Sequence, residues 1–362
     1  MDKYRVSGYQ IILVILFSTF STAVFWVPSE AASFVNQDAW IAVLLATVIS
    51  IPLIYLPIAS LAKKYPYQTV IEYSNDILGK VLGKFVGLLF IYFFFQNHCW
   101  ALRTYGEIAT IFMTGTPILA FLISLSLITV LVVKYGVEVI IRCAEIIFPV
   151  GLFLLIMIVV FVLDRVEISN LLPIMETKMG PLILATLSPF DWMGVGFITT
   201  VFLAYINRPA SITRVCIIGI GLGGILLTFF SVIVISVLGS KMTTISNFPV
   251  LGLARYSGIP GLFERIEALV IPVWTAALFV RIALFSYGTV VGLAQLFKLS
   301  DYRFLVIPET IFAIAYSLFQ YDSFVEIANI WSQAHIYYII FWSGLPIFLW
   351  LVSLIRYKMS KR

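Results

Sequence analysis

The chain has 362 residues, is 61% hydrophobic and only 11% charged, and carries a formal net charge of +5; its mean hydropathy is +1.05. Soluble domains average about 25% charged residues, so this composition excludes a soluble globular domain and defines a polytopic membrane protein. No Lys/Arg-rich run is present to follow a phosphate backbone, which excludes a nucleic-acid surface. The three cysteines, Cys99, Cys143 and Cys216, lie far apart inside apolar segments, which excludes a disulfide framework and a CxxC metal site.

Ten hydrophobic segments are long enough to cross a bilayer: about 8–33, 39–62, 82–113, 117–133, 137–163, 181–206, 213–238, 264–294, 304–320 and 335–356. Met1 to Ser7 is short and basic, but the apolar run after it is too long for a signal-peptide core and lacks a clear cleavage site. The first span is therefore expected to insert and stay. With both termini inside, only Arg165, Lys178, Lys241, Arg255 and Arg265 of the 23 Lys and Arg fall outside, and Arg103, Arg142 and Arg281 lie within spans. That is the positive-inside pattern. No soluble domain fits anywhere, so 1–362 reads as a single membrane domain.

The first span carries a patch of small residues and hydroxyls near its middle, Ser18-Thr19-Phe20-Ser21-Thr22-Ala23. One reading has Ser and Thr bonding back to the preceding turn of an intact helix. The other has a break in the helix, tolerated at that depth only where it lines a cavity or is buried in protein. Glu30 ends this span.

The third span carries Arg103 and Glu107, four apart, with Trp100 and Thr104 on the same face; His98 lies elsewhere on the helix and reads as a packed or hydrogen-bonded histidine. The fifth carries Glu138, Arg142 and Glu145 at spacings of four and three, which puts all three on one face. A charge at the bilayer centre costs about 2.5–3.5 kcal/mol on insertion scales. With alternating signs available, Arg103, Glu107, Glu138, Arg142 and Glu145 read as structural ion pairs locking the third and fifth spans together. The longer connections, Asp164 to Gly180 and Gly239 to Phe263, lie outside by this topology. Each reads either as a short surface helix or as a flexible tether.

The sixth span repeats the pattern of the first. Ser188-Pro189-Phe190-Asp191 interrupts it near the middle, and Gly194 and Gly196 follow. It lies five spans after the first, and an odd offset reverses direction across the membrane. Interrupted segments at matching places in two inverted halves point to a midplane binding site. This echo favours paired unwound helices, with repeats at about 8–163 and 181–356. Helix ends meeting at such breaks offer amides to an anion and carbonyls to a cation, which suits a zwitterionic amino acid better than a sugar. Asp191, with no nearby cation in sequence, stands between a structural and a functional reading. The eighth span adds Ser286 and Thr289 beside its aromatics.

The candidate ligand-binding residues are thus Ser18, Ser21, Thr22, Ala23, Trp100, Thr104, Ser188, Phe190, Asp191, Gly194, Ser286 and Thr289. Two histidines, His98 and His335, and no GxSxG, HExxH or Walker A pattern leave no catalytic residues, metal site or cofactor to expect.

Four stretches carry a family resemblance: Tyr135-Gly136-Val137-Glu138 with Arg142, Glu145 and Pro149; Leu102-Arg103 with Glu107 and Thr116-Pro117-Ile118; Phe248-Pro249 with Phe263-Glu264-Arg265-Ile266-Glu267 and Trp274; and Leu296-Phe297 with Asp301-Tyr302-Arg303 and Pro308. On these the chain resembles the spore germination permease family, the GerAB-like B subunits of spore germinant receptors, within the amino acid–polyamine–organocation superfamily. The resemblance implies an all-α, ten-span, five-plus-five inverted-repeat fold like that of the leucine transporter, with helices one and six broken. It implies nutrient sensing in the spore inner membrane beside an A and a C subunit, with no enzymatic activity. The superfamily's first-span Gly-Thr-Gly falls on Ser21-Thr22-Ala23, and its sixth-span Pro-Phe-Gly-Glu on Pro189-Phe190-Asp191-Trp192. The added side chains narrow the space for a ligand carboxylate, and Trp192 replaces an acid, so the preferred germinant stays open. A proton-coupled amino acid transporter and a ligand-gated ion or water conduit are the alternatives.

Overall fold

The computed structural model describes residues 4–246, 248–256, 267–320, 326 and 334–360. Among these the chain is helical throughout, and its isolated backbone bridge pairs Val6 with Ile206. Helix α1 (Gly8–Val35) opens on a capping box in which Ser7 and Gln10 exchange side-chain-to-backbone hydrogen bonds, meeting two amides that a helix start leaves unpaired. Every residue from Leu13 to Ser29 is buried. Helix α1 is the axis of the bundle, packed against the sixth, seventh and eighth spans.

A 3₁₀ turn at Asn36–Asp38 reverses the chain into α2 (Ala39–Ser50), a π-turn (Ile51–Tyr55) and α3 (Leu56–Lys64). Pro52 sits in that π-turn; lacking an N–H and clashing with the preceding turn, proline favours such an adjustment. The short α4 (Val70–Leu78) leads into α5 (Lys80–Phe112), then α6 (Ile118–Tyr135) and α7 (Val137–Phe161). Ile146, Val150, Phe153 and Ile156 form an exposed apolar stripe along α7, the face such a helix turns to lipid.

The sixth span is composite: α8 (Met179–Gly194), a 3₁₀ turn (Val195–Ile198), α9 (Thr199–Phe202) and a second 3₁₀ turn (Leu203–Tyr205). Helix α10 (Ile212–Ile245) breaks at Gly239, whose φ of 73° lies in the left-handed region that glycine tolerates. Then come α11 (Pro249–Tyr256), α12 (Glu267–Leu296), α13 (Arg303–Gln320), α14 (334–339), a π-turn (Ile340–Gly344) and α15 (Leu345–Ser360).

Among the described residues, eight helical segments are long and apolar enough to cross a membrane by length and composition. The first, Gly8–Lys64, has 57 residues, too long for one crossing of a core roughly 30 Å thick, and the turn at Asn36–Asp38 divides it in two. With the 18 residues of α13, the described helices account for all ten expected spans.

Three expectations need correction. The first span is not unwound: α1 is continuous through Ser18–Ala23. The sixth span changes helix type at Val195 rather than at Ser188–Asp191. The charged residues of the third and fifth spans do not lock those spans together. Arg142 bonds Glu138 at 2.7 Å within one helix, on an exposed face, while Glu145 instead accepts from Gln10 Nε2 of α1 at 3.0 Å. Arg103 does pair with Glu107, at 2.6 Å. Its Nη1 then donates to the carbonyls of Ser317 and Leu318 at 3.2 and 3.3 Å, so it caps the last turn of α13, where carbonyls lack helical partners.

The first of the two longer connections is pinned rather than loose. Its two short helices are 3₁₀ turns, Leu163–Arg165 and Ile168–Leu171, and the buried Asp38 accepts from the backbone N–H of Met175 and Thr177 at 2.8 and 3.1 Å. The second contains α11; residues 257–263, with the Phe263-Glu264-Arg265-Ile266 run, lie outside the described residues, as does the side chain of Arg255.

Candidate functional site

The sixth span is held at its change of helix type by two aromatic donors, each delivered by a π-turn. Tyr55, from the π-turn of the second span, donates to the Met193 carbonyl at 2.9 Å. Trp342, from the π-turn of the tenth, donates through Nε1 to Asp191 Oδ1 at 2.5 Å. The extra residue of a π-turn re-aims side chains, and such turns gather at functional sites. Glycine makes the approach possible: a Cβ at Gly194 would stand 2.8 Å from the Trp342 ring, and one at Gly196 would strike the Tyr55 hydroxyl.

Asp191 is fully buried. His335 Nδ1, on α14, lies 2.8 Å from its other oxygen. One turn before, the Ser188 hydroxyl donates to the Glu30 carboxylate of α1 in a very short bond. Spans one, six and ten thus meet in a polar cluster of the buried Asp191, His335, Ser188 and Trp342 with the partly buried Glu30.

The hydroxyls of the first span are mostly committed to their own helix. Ser18 and Thr19 donate to the Ile15 carbonyl at 2.9 and 2.7 Å, and Ser21 to that of Phe17 at 2.6 Å. This back-bonding is how a polar residue sits inside an intact apolar helix, and the unbroken α1 offers no helix-end amides to an anion. Thr22 differs: its Oγ1 is buried with no hydrogen-bond partner among the described residues. Ala23 is buried in the apolar core. Ser21 also lines a cavity of about 70 Å³, otherwise apolar, between spans one, five and eight, with Phe17, Phe20, Phe148, Trp274 and Ala277 around it.

Next to Asp191 in sequence, Trp192 of the sixth span packs on Arg281 of α12, which sequence reasoning noted within a span but did not place in the site. It is fully buried, and its guanidinium carbon lies 5.2 Å from the Trp100 ring, 5.3 Å from Trp192 and 5.8 Å from Phe285. Such cation–π contacts contribute about 0.5–2 kcal/mol each. Asn97, Trp100 and Thr104 follow one another at spacings of three and four, so α5 turns one face to this cage; Thr104 Oγ1 is buried without a partner among the described residues.

Ser286 and Thr289 are buried but engaged elsewhere. Thr289 bonds back to Phe285 at 2.8 Å. Ser286 donates to Glu309 Oε2 at 3.0 Å, and His98 Nδ1 lies 2.7 Å from the other oxygen. Glu309 of α13 and its histidine form a second buried cluster joining spans three, eight and nine. Phe190 packs in the apolar core. Among the described residues no three His, Cys, Asp or Glu side chains gather as a metal ion would require.

The structure therefore brings Trp100, Thr104, Ser188, Asp191 and Gly194 into two adjoining polar regions around the sixth span. It ties Ser18 and Ser21 to their own helix, leaves Thr22 unpartnered and draws Ser286 into the Glu309 cluster. Arg281, Asn97, His335 and Trp342 join the two regions through contacts across spans, while Glu309 belongs to the separate cluster with His98 and Ser286. A lone Arg inside the eighth apolar segment was the available signal, since a buried cation needs a partner.

Ten spans wound in this order define a fold shared with membrane transporters of known structure. MhsT, in its crystal structure with L-phenylalanine, matches with a TM-score of 0.69 over 97% of this chain and 89% of that one, at 16% identity. Mhp1, a nucleobase-cation-symport-1 family transporter in a closed conformation with bromovinylhydantoin bound, matches with a TM-score of 0.64 over 94% and 78%, at 14% identity. At such identities the likeness is one of fold, the leucine-transporter-like fold expected from the sequence.

A family model described as spore germination protein matches residues 5–325, and the chain belongs to that family. Spore germination protein YndE of Bacillus subtilis (strain 168) is 29% identical over 268 residues, 73% of each chain. Spore germination protein KB of the same organism is 26% identical over 303 residues, 82% of this chain and 80% of the relative.

Proposed function

We propose that this chain is the membrane subunit of a spore germinant receptor and binds a small nutrient, an amino acid, at mid-membrane against the sixth span. The observation that carries the reading is Asp191. Its carboxylate is fully buried beside a change of helix type and held by His335 and Trp342 of the tenth span. An ionised carboxylate has about four acceptor positions, so one held by two neighbours keeps capacity for a ligand ammonium. The MhsT structure, which holds L-phenylalanine, supports an amino acid as the ligand class. Spans six and ten meet at this point, so a ligand that prefers one arrangement of them shifts the population of the receptor toward its active state, which demands unequal affinity for the two states. In this reading the chain works beside an A and a C subunit in the spore inner membrane, with both termini cytoplasmic and inverted repeats at about 8–163 and 181–356.

The test is the germination dose response of spores carrying Asp191→Asn, which keeps the shape and removes the charge. A hydrogen bond to a charged group contributes about 1.5–3 kcal/mol, so the half-saturating nutrient concentration should rise at least tenfold at normal protein level. An unchanged dose response removes Asp191 from the site.

A second reading, a proton-coupled amino acid transporter using the same site, is favoured by the two buried carboxylate–histidine pairs, Asp191–His335 and Glu309–His98. Uptake in proteoliposomes separates the two: accumulation driven by a proton gradient supports transport, and binding without flux supports the receptor.

A further inference from the structure

Two buried arginines in this molecule are treated differently, and the difference points to a ligand. Arg103 is saturated: Glu107 takes its charge and the Ser317 and Leu318 carbonyls take Nη1. Arg281 is more deeply buried yet makes a single hydrogen bond among the described residues, from Nη2 to Asn97 Oδ1 at a long 3.3 Å. Its Nε and Nη1 have no acceptor there. A guanidinium presents five N–H donors in a planar fork that matches a carboxylate. Burying such a cation without an anionic partner is unfavourable, and rings alone leave its donors unmet.

Asp191 directly precedes Trp192 of the ring cage around Arg281, but no ion pair within 4.0 Å joins the two, and both Asp191 oxygens are engaged by the tenth span. The anion and the cation stand apart, each held by its own neighbours. Because α1 is continuous and its Ser18, Thr19 and Ser21 hydroxyls are bonded back, the first span offers no helix-end amides to a ligand carboxylate.

From this geometry we infer that Arg281 is the seat of the ligand's carboxylate: the guanidinium fork, oriented by Asn97 and walled by Trp100 and Trp192, takes the carboxylate of an α-amino acid whose ammonium faces Asp191. The inference rests on the amino-acid reading above and adds the group that discriminates an amino acid from an amine. Thr104 Oγ1, unpartnered on the same face of α5, is the hydroxyl placed to assist.

The experiment uses the purified full-length chain in lipid nanodiscs. The thermal midpoint is measured with each of the twenty amino acids and, for each that raises it, with its decarboxylated amine and its deaminated acid. The wild-type chain should respond to an amino acid and not to its amine. Truncating one partner of a buried charge pair predicts a Kd for that amino acid about 30-fold or more higher in Arg281→Gln, with the preference over the amine lost. Arg281→Lys should keep the preference at reduced affinity, and Asn97→Leu should weaken binding by loosening the fork. These two decide the matter if Arg281→Gln does not fold.

Wild-type affinity in Arg281→Gln, or in both Arg281→Lys and Asn97→Leu, overturns the inference; loss of binding in Asp191→Asn would then leave the amino-acid reading standing. Binding of the deaminated acid alone, lost in Arg281→Gln, upholds the anion seat and retires the amino-acid reading. A wild-type chain that responds to none of the twenty overturns both.

Discussion

Thr22 and Ser21 are neighbours in one helix and differ in the fate of a single hydroxyl. Ser21 donates to Phe17; Thr22 donates to nothing among the described residues. Replacing Thr22 by the isosteric Val removes an unmet polar group, so stability should stay within about 0.5 kcal/mol or rise slightly, while nutrient sensitivity falls if the hydroxyl meets a ligand. Ser286→Ala should behave oppositely. It takes a donor from the buried Glu309 carboxylate and should cost about 1–3 kcal/mol in thermal unfolding of the purified chain, with nutrient preference unchanged. At this scale the sequence was partly legible. Asp191 and Gly194 stood out because a carboxylate and a glycine are unusual in an apolar span. The surroundings of Arg281 were hidden, since its neighbours Asn97, Trp100 and Trp192 lie on other spans, and only folding brings them together.

Helices transmit constraint through their irregular turns. Tyr55 reaches the Met193 carbonyl because a π-turn interrupts the second span, so Tyr55→Phe should cost about 1–2 kcal/mol in thermal unfolding and loosen the sixth span. Arg103 ties α5 to the end of α13. Arg103→Ala strands Glu107 and two carbonyls and should cost about 3 kcal/mol, read as a lower steady-state protein level. Arg142→Ala removes an exposed pair and should leave that level unchanged. Charge spacing within a segment showed which residues can pair along one helix, and Glu138–Arg142 and Arg103–Glu107 do. It could not show that Glu145 would turn to Gln10 of the first span. The hydroxyl patch misled in the same way: Ser and Thr serve an unwound segment and a back-bonded helix equally well, and the carbonyls of Ile15 and Phe17 decided it.

Across the whole molecule, hydropathy and length marked all ten spans to within a few residues, because a bilayer leaves a helix few other options. What composition alone could not reveal is where the inverted halves press their polar groups together. Around the sixth span Asp191, His335 and Arg281 are buried, and Glu30 of the first span, partly buried, accepts from Ser188. The central claim is that a nutrient amino acid occupies this region against Asp191. Isothermal titration of the purified full-length chain and of its Asp191→Asn variant with the twenty amino acids tests it most directly. The account predicts that at least one amino acid binds the wild-type chain at one site and binds Asp191→Asn about tenfold or more weakly. Equal affinity in the two chains, or no binding to the wild type, would contradict it.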